Sequence, residues 1–208
     1  MVLQSQNVAH TYPGQDILKF PDIALEPGES AVLLGPSGKG KTTYLHLLAG
    51  LLPLQEGTVH IAHTNLSSLS ARALDRFRGK QMGLVFQKSY FLPYLTIGQN
   101  LQLAQNIAGS AEPSAIHQAL SELSAEHLMA KKPAQCSVGE QQRASIARAL
   151  LGQPSLLLAD EPTSALDDGN AKAVAQMLQQ AARQHRAALL IVTHDKRLTD
   201  YFPKHYNL

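Results

Sequence analysis

Eight residues, Gly35-Pro36-Ser37-Gly38-Lys39-Gly40-Lys41-Thr42, constrain this chain more than any others, because they satisfy G-x-x-x-x-G-K-[ST] in the setting that motif requires. Before them lies Ser30–Leu34, an apolar run short enough for a buried strand. After them comes an apolar-periodic helix with Leu45, Leu48 and Ala49 on one face, ending at Gly50. In a strand, loop and helix of this kind the glycines let successive backbone N–H groups turn inward around phosphate oxygens, and the helix end adds positive potential. Lys41 neutralises β/γ oxygens and the Thr42 hydroxyl suits Mg²⁺. The loop and its junction with the helix, Gly35 to Thr43, are therefore expected to hold a nucleoside triphosphate with magnesium. A second lysine, Lys39, either touches phosphate or, as the favoured reading, points to solvent.

Two further apolar strands end in polar residues. Leu156–Asp160 delivers Asp160 and Glu161, and Ala188–Thr193 delivers His194 and Asp195, with the helical stretch Ala171–Gln184 between them. Strands alternating with helices predict a mainly parallel sheet, and open parallel sheets gather ligands at the carboxyl ends of their strands. Asp160 then suits a magnesium shell, Glu161 can polarise the attacking water as a general base, and His194 can contact a γ-phosphate. Turns at Tyr12-Pro13-Gly14 and Pro27-Gly28 around Ile17–Leu25 read as a small antiparallel β region. A short helix at Ala71–Arg78, a strand at Met82–Phe86 and one helical stretch from Ser114 to about Lys132, closed by Pro133, fill the middle. Residues 97–147 read as a helical subdomain inserted into a core of 1–96 and 148–208, all within one domain of 1–208.

With 208 residues, 44% apolar and 16% charged, the chain can bury one substantial core. A formal charge of +2, with Lys and Arg scattered, leaves no nucleic-acid footprint. No apolar run approaches the roughly 18 residues of a membrane span, the opening residues lack a signal peptide's pattern, and Cys136 is the single cysteine. The expectation is a cytoplasmic protein with no transmembrane segment of its own. His60 and His63 have the spacing of a metal pair without Cys or acidic partners, so no structural metal is expected.

Taken in order, these motifs resemble those of ABC ATPases over nearly the whole chain. The resemblance assigns Tyr12 to adenine stacking, Gly35–Thr42 to the Walker A loop and Gln87 to the Q-loop. It assigns Cys136–Glu140 to the signature, Leu156–Glu161 to Walker B, Ser164–Asp167 to the D-loop and His194 to the switch histidine. It implies a P-loop NTPase RecA-like α/β core with a small antiparallel β region and an inserted α-helical subdomain. ATP and Mg²⁺ are the implied cofactors, ATP hydrolysis the reaction, and Thr42, Gln87 and Asp160 the metal contacts. Two such domains would sandwich two ATP molecules head to tail, as a homodimer or heterodimer. Ser137, Gly139 and Glu140, at the start of a helix over Glu140–Leu151, and Asp167 would then complete the nucleotide site. The usual Leu-Ser-Gly-Gly-Gln reads Cys136-Ser137-Val138-Gly139-Glu140 here. Val138 is a tolerated substitution, or it weakens the γ-phosphate contact and marks a weakened or regulatory half of a heterodimer. Cys136 either packs inertly in place of leucine or is a thiol that the ATP dimer shields from alkylation.

Gly83–Gln87, followed by Phe91–Asn100, looks like the subgroup of lipoprotein-releasing, macrolide-efflux and cell-division ABC ATPases, although amino-acid importers share parts of the pattern. The resemblance implies separate integral-membrane subunits as partners and a peripheral position on the inner face of the plasma membrane. Tyr90, Phe91, Tyr94 and Leu95 are candidates for the surface that receives a coupling helix of those subunits, or for the subdomain's own core.

Overall fold

The computed structural model describes residues 1–109, 112–164 and 166–208. The first strand, β1 (Leu3–His10), pairs antiparallel with β2 (Leu18–Lys19) and β3 (Ile23–Leu25). The Ile17–Leu25 run is thus split at Phe20-Pro21, where Phe20 N–H reaches back to the Val8 carbonyl (3.0 Å). β4 (Ser30–Leu34) leads through the glycine-rich loop into α1 (Lys41–Leu48). The chain then returns to the first sheet through β5 (Glu56–Ile61) and β6 (Thr64–Asn65), so that the order is β2-β1-β5-β6 with β3 also on β1.

α2 (Ala71–Gln81) and β7 (Met82–Val85) follow, then the helices α3 (Ile97–Ala108), α4 (Pro113–Glu122) and α5 (Val138–Leu150). β8 (Leu156–Asp160), α6 (Asp168–Gln184), β9 (Ala188–Thr193) and β10 (Lys204–Asn207) complete the chain. The second sheet is parallel, in the order β10-β4-β9-β8-β7.

Alternation along the central strands divides the core in two. Leu157 and Ala159 of β8 face a cluster with α3 to α6, while Leu156 and Leu158 face a second cluster with α1 and the antiparallel sheet. A strand covered on both faces must be apolar at every position, which is why these strands read as continuous runs. Gly83 marks a close backbone approach: a Cβ there would lie 2.4 Å from the Ala149 carbonyl oxygen, so α5 rests directly on β7.

The expected α/β architecture, a P-loop core with an antiparallel β region and added helices, is the observed one, with local differences. The helix anticipated from Ser114 to Lys132 ends at Glu122. Ser124 takes a left-handed backbone (φ 51°) and Ala125 N–H closes on the Leu120 carbonyl (2.8 Å), which stops the helix. A short 3₁₀ turn over Glu126–Leu128 follows. α2 extends past Arg78, and α5 starts two residues before Glu140, under the Ser137 cap. The 147/148 division falls inside α5, which packs on α3, α4, α6 and β7 alike. No described helix is long and apolar enough to cross a membrane.

Candidate nucleotide site

The loop between β4 and α1 turns on Gly38 and Gly40, with φ of 79° and 90°. Gly40 caps α1, and a Cβ there would approach Leu18 Cδ1 to 2.9 Å, so both backbone conformation and space require glycine. Lys41 is buried, donates from Nζ to the Pro36 carbonyl (3.0 Å) and lies 3.5 Å from Glu161 Oε1. Its charge is thus held under the loop. Thr42 Oγ1 donates to both Asp160 oxygens, at 3.0 and 3.2 Å.

Adjacent pairing of β8 and β9 sets Asp160 opposite Val192, so both strands end at one edge. Glu161 follows with φ of 46°, a conformation that costs about 1–3 kcal/mol for a side-chain-bearing residue and is retained where the surroundings fix it. Its Oε2 accepts from Thr193 Oγ1 (2.8 Å), and its Oε1 from His194 N–H (3.1 Å) and the ring Nδ1 (2.8 Å). Burial pushes the Asp160 carboxyl up, against the Thr42 hydrogen bond, and the neighbouring Glu161 charge adds to the rise. A cation at Thr42 and Asp160 would remove that penalty. Gln87 Nε2 donates to Ser164 Oγ (3.0 Å), and Tyr12 OH shares a hydrogen bond with Thr43 Oγ1 (3.2 Å) while meeting His10 edge to face at 4.6 Å.

Between these groups lies a cleft of about 420 Å³ lined by Tyr12, Lys41, Thr42, Gln87, Glu161 and His194, among others. A glycine-rich backbone, a buried ammonium and a hydroxyl–carboxylate pair of hard oxygen donors fit a triphosphate and a divalent cation. A larger groove of about 810 Å³ is walled by Leu51, Met82, Phe86, Tyr90, Ile107 and Arg148. It has no glycine-rich loop and no such oxygen pair, so the smaller cleft is the candidate nucleotide site despite its size.

Residues 18–164 match the ABC transporter family. The chain belongs to that family. Among its relatives, the lipoprotein-releasing system ATP-binding protein LolD of Legionella pneumophila (strain Paris) is 36% identical over 207 residues, covering 96% of this chain and 91% of the relative. The bacitracin export ATP-binding protein BceA of Halalkalibacterium halodurans is 35% identical over 207 residues, covering 96% and 82%. A solved dimer of the ATP-binding cassette MJ0796, in a post-hydrolysis state bound to ADP and Pi, superposes with a TM-score of 0.88 at 31% identity, covering 99% of this chain and 94% of that one. The chain is thus an ABC ATPase that binds and hydrolyses ATP, and lipoprotein-releasing proteins are among its relatives, in keeping with the subgroup read from its sequence.

This ABC ATPase brings only some of the expected residues together. Lys39 is exposed and lines no part of the cleft, and Gly35 and Pro36 face a separate small cavity. Ser137, Gly139 and Glu140 lie at the start of α5, outside the cleft, where Ser137 Oγ accepts Glu140 N–H (3.2 Å) and Glu140 Oε2 accepts Ser137 N–H (2.7 Å). Asp167 caps α6 through Asn170 N–H (3.0 Å); Ala165, within the expected Ser164–Asp167 loop, is outside the described residues. Val138 is 61% exposed in the first turn of an intact α5, so it leaves the helix start undistorted. Burial, helped by the Glu140 charge, raises the Cys136 thiol, which is partly buried and packs against the core.

Phe91 packs on the core beneath the Arg148 guanidinium (4.7 Å), whereas Tyr90 and Tyr94 are exposed and Tyr90 lines the larger groove. Thr193 and Gln15 were not anticipated. Thr193 could have been found, since the residue before His194 shares its strand end.

Proposed function

We propose that this ABC ATPase powers a membrane transporter as a head-to-tail dimer, its cleft supplying one face of each nucleotide site and the α5 start of the second protomer the other. One observation carries the reading: the cleft is lined by Lys41, Thr42, Glu161 and His194, with the buried Asp160 hydrogen-bonded to Thr42, while Ser137 sits at a capped helix end away from it. A site so divided is completed by a second copy. Ser137 Oγ accepts the cap hydrogen bond and keeps its own proton to donate to phosphate.

Within the cleft, Lys41 and the loop N–H groups bind and orient the triphosphate, and Tyr12 offers its ring to the base. Mg²⁺, held by Thr42, Asp160 and Gln87, would neutralise β- and γ-oxygens. Glu161, aimed by Thr193 and the His194 backbone, takes the proton of the attacking water, and His194, half exposed, holds Glu161 and contacts the γ-phosphate. Separation of phosphate removes the charge that joins the two protomers, so hydrolysis loosens the dimer.

The larger groove, with Tyr90 and Phe86 on its wall, is the proposed seat of a cytoplasmic element of the membrane subunits, and the inner face of the membrane is the proposed location. Replacement Glu161→Gln tests the chemistry: ATP binding persists while turnover falls roughly 10²- to 10⁴-fold. Turnover at the parent rate would remove Glu161 from its role.

A further inference from the structure

We infer that Lys131 and His127 are positioning residues for the second half of the nucleotide site, cancelling the charge of Glu140 where a partner protomer's triphosphate must sit. The inference rests on the dimer proposed above. Capping α5 uses only one Glu140 oxygen, the Oε2 that accepts Ser137 N–H. The other oxygen, Oε1, accepts from His127 Nε2 (2.9 Å) and Lys131 Nζ (3.1 Å), both contributed by the segment between α4 and α5.

A neutral amide would cap the helix equally well, so the cap alone does not explain two basic partners. A helix N-terminus carries the equivalent of about half a positive charge, which a full negative charge in its first turn would reverse. A polyanion arriving at Ser137 would then be repelled. Lys131 restores the sign, and the His127 ring adds a second hydrogen bond to the same oxygen. Protonation offers no other relief, because the Ser137 N–H, His127 and Lys131 hold the Glu140 carboxyl down to about 2. Glu126, next to His127, and the Cys136 thiol also lie in this cluster, and neither supplies a positive charge; among the hydrogen-bond partners of Glu140 Oε1, Lys131 is the permanent cation.

Sedimentation of the Glu161→Gln protein with ATP provides the test, with His127→Gln and Lys131→Met added together, and then with Glu140→Gln added to those two. Binding of a fluorescent ATP analogue to dilute monomer reports the cleft separately. The paired change should raise the dimer dissociation constant roughly tenfold with monomer affinity unchanged, and Glu140→Gln should restore it. Unchanged dimerisation overturns the inference. So does a loss that Glu140→Gln fails to restore, since that is the result of a merely structural role. A Glu161→Gln parent that stays monomeric with ATP removes the dimer itself, and the inference with it.

Discussion

Glu161 and Glu140 are both carboxylates beside an apolar element, and their surroundings give them different work. Glu161 is held over the cleft by Thr193 and His194, in a strained backbone that only a packed strand edge retains. Its place at the end of an apolar strand is legible in the sequence, and so is the strand end that carries Thr193; that the two side chains meet is not, because register between β8 and β9 is a tertiary property. Glu140 is tied to three donors, two of them from residues that sequence spacing alone does not connect to it. With its carboxyl lowered from 4.5 to about 2, the unfolded chain takes up the proton first as pH falls. The contribution of Glu140 to stability is therefore complete above about pH 4.5 and lost towards about pH 2. Thermal melts should show Glu140→Gln less stable than the parent at pH 7, with the gap shrinking as pH drops through that window. An equal gap at pH 7 and pH 3 would contradict this.

Elements with an unambiguous apolar signature were readable. β4, β8 and β9 are continuous apolar runs because both faces are covered, and the glycine-rich loop fixes α1 after β4. β5 escaped notice because three of its residues, Thr58, Val59 and His60, mix burial with polarity, and its pairing with β1 is long-range. β10 is an edge strand with alternating exposure and little apolar content, held mainly by its ladder to β4. α3 is announced by the Thr96–Gln99 capping box, a signal already present in the sequence. Contact between α5 and β7 is a demanding one. Gly83→Ala would drive a methyl group to 2.4 Å from the Ala149 carbonyl oxygen, and should destabilise the fold by about 1–3 kcal/mol in denaturant titrations. Stability within a few tenths of a kcal/mol of the parent would mean that α5 moves freely over the sheet.

At the scale of the whole molecule, α5 joins the pieces of the proposed mechanism. Its C-terminal half packs on β7 beside the larger groove, where Arg148 also donates to the Ser89 and Tyr90 carbonyls (2.8 and 3.0 Å) just after Gln87. Its N-terminus carries Ser137 and Glu140 outside the cleft. One rigid helix therefore spans the proposed membrane-subunit contact and the group offered to a second protomer's nucleotide. An isolated copy should therefore hydrolyse ATP poorly, with association supplying the missing face. Phosphate release per protomer, followed over a thousandfold range of protein concentration with sedimentation in parallel, tests this most directly. Specific activity should rise with concentration and level off as dimers fill. Constant specific activity from a species that sediments as a monomer throughout would contradict it.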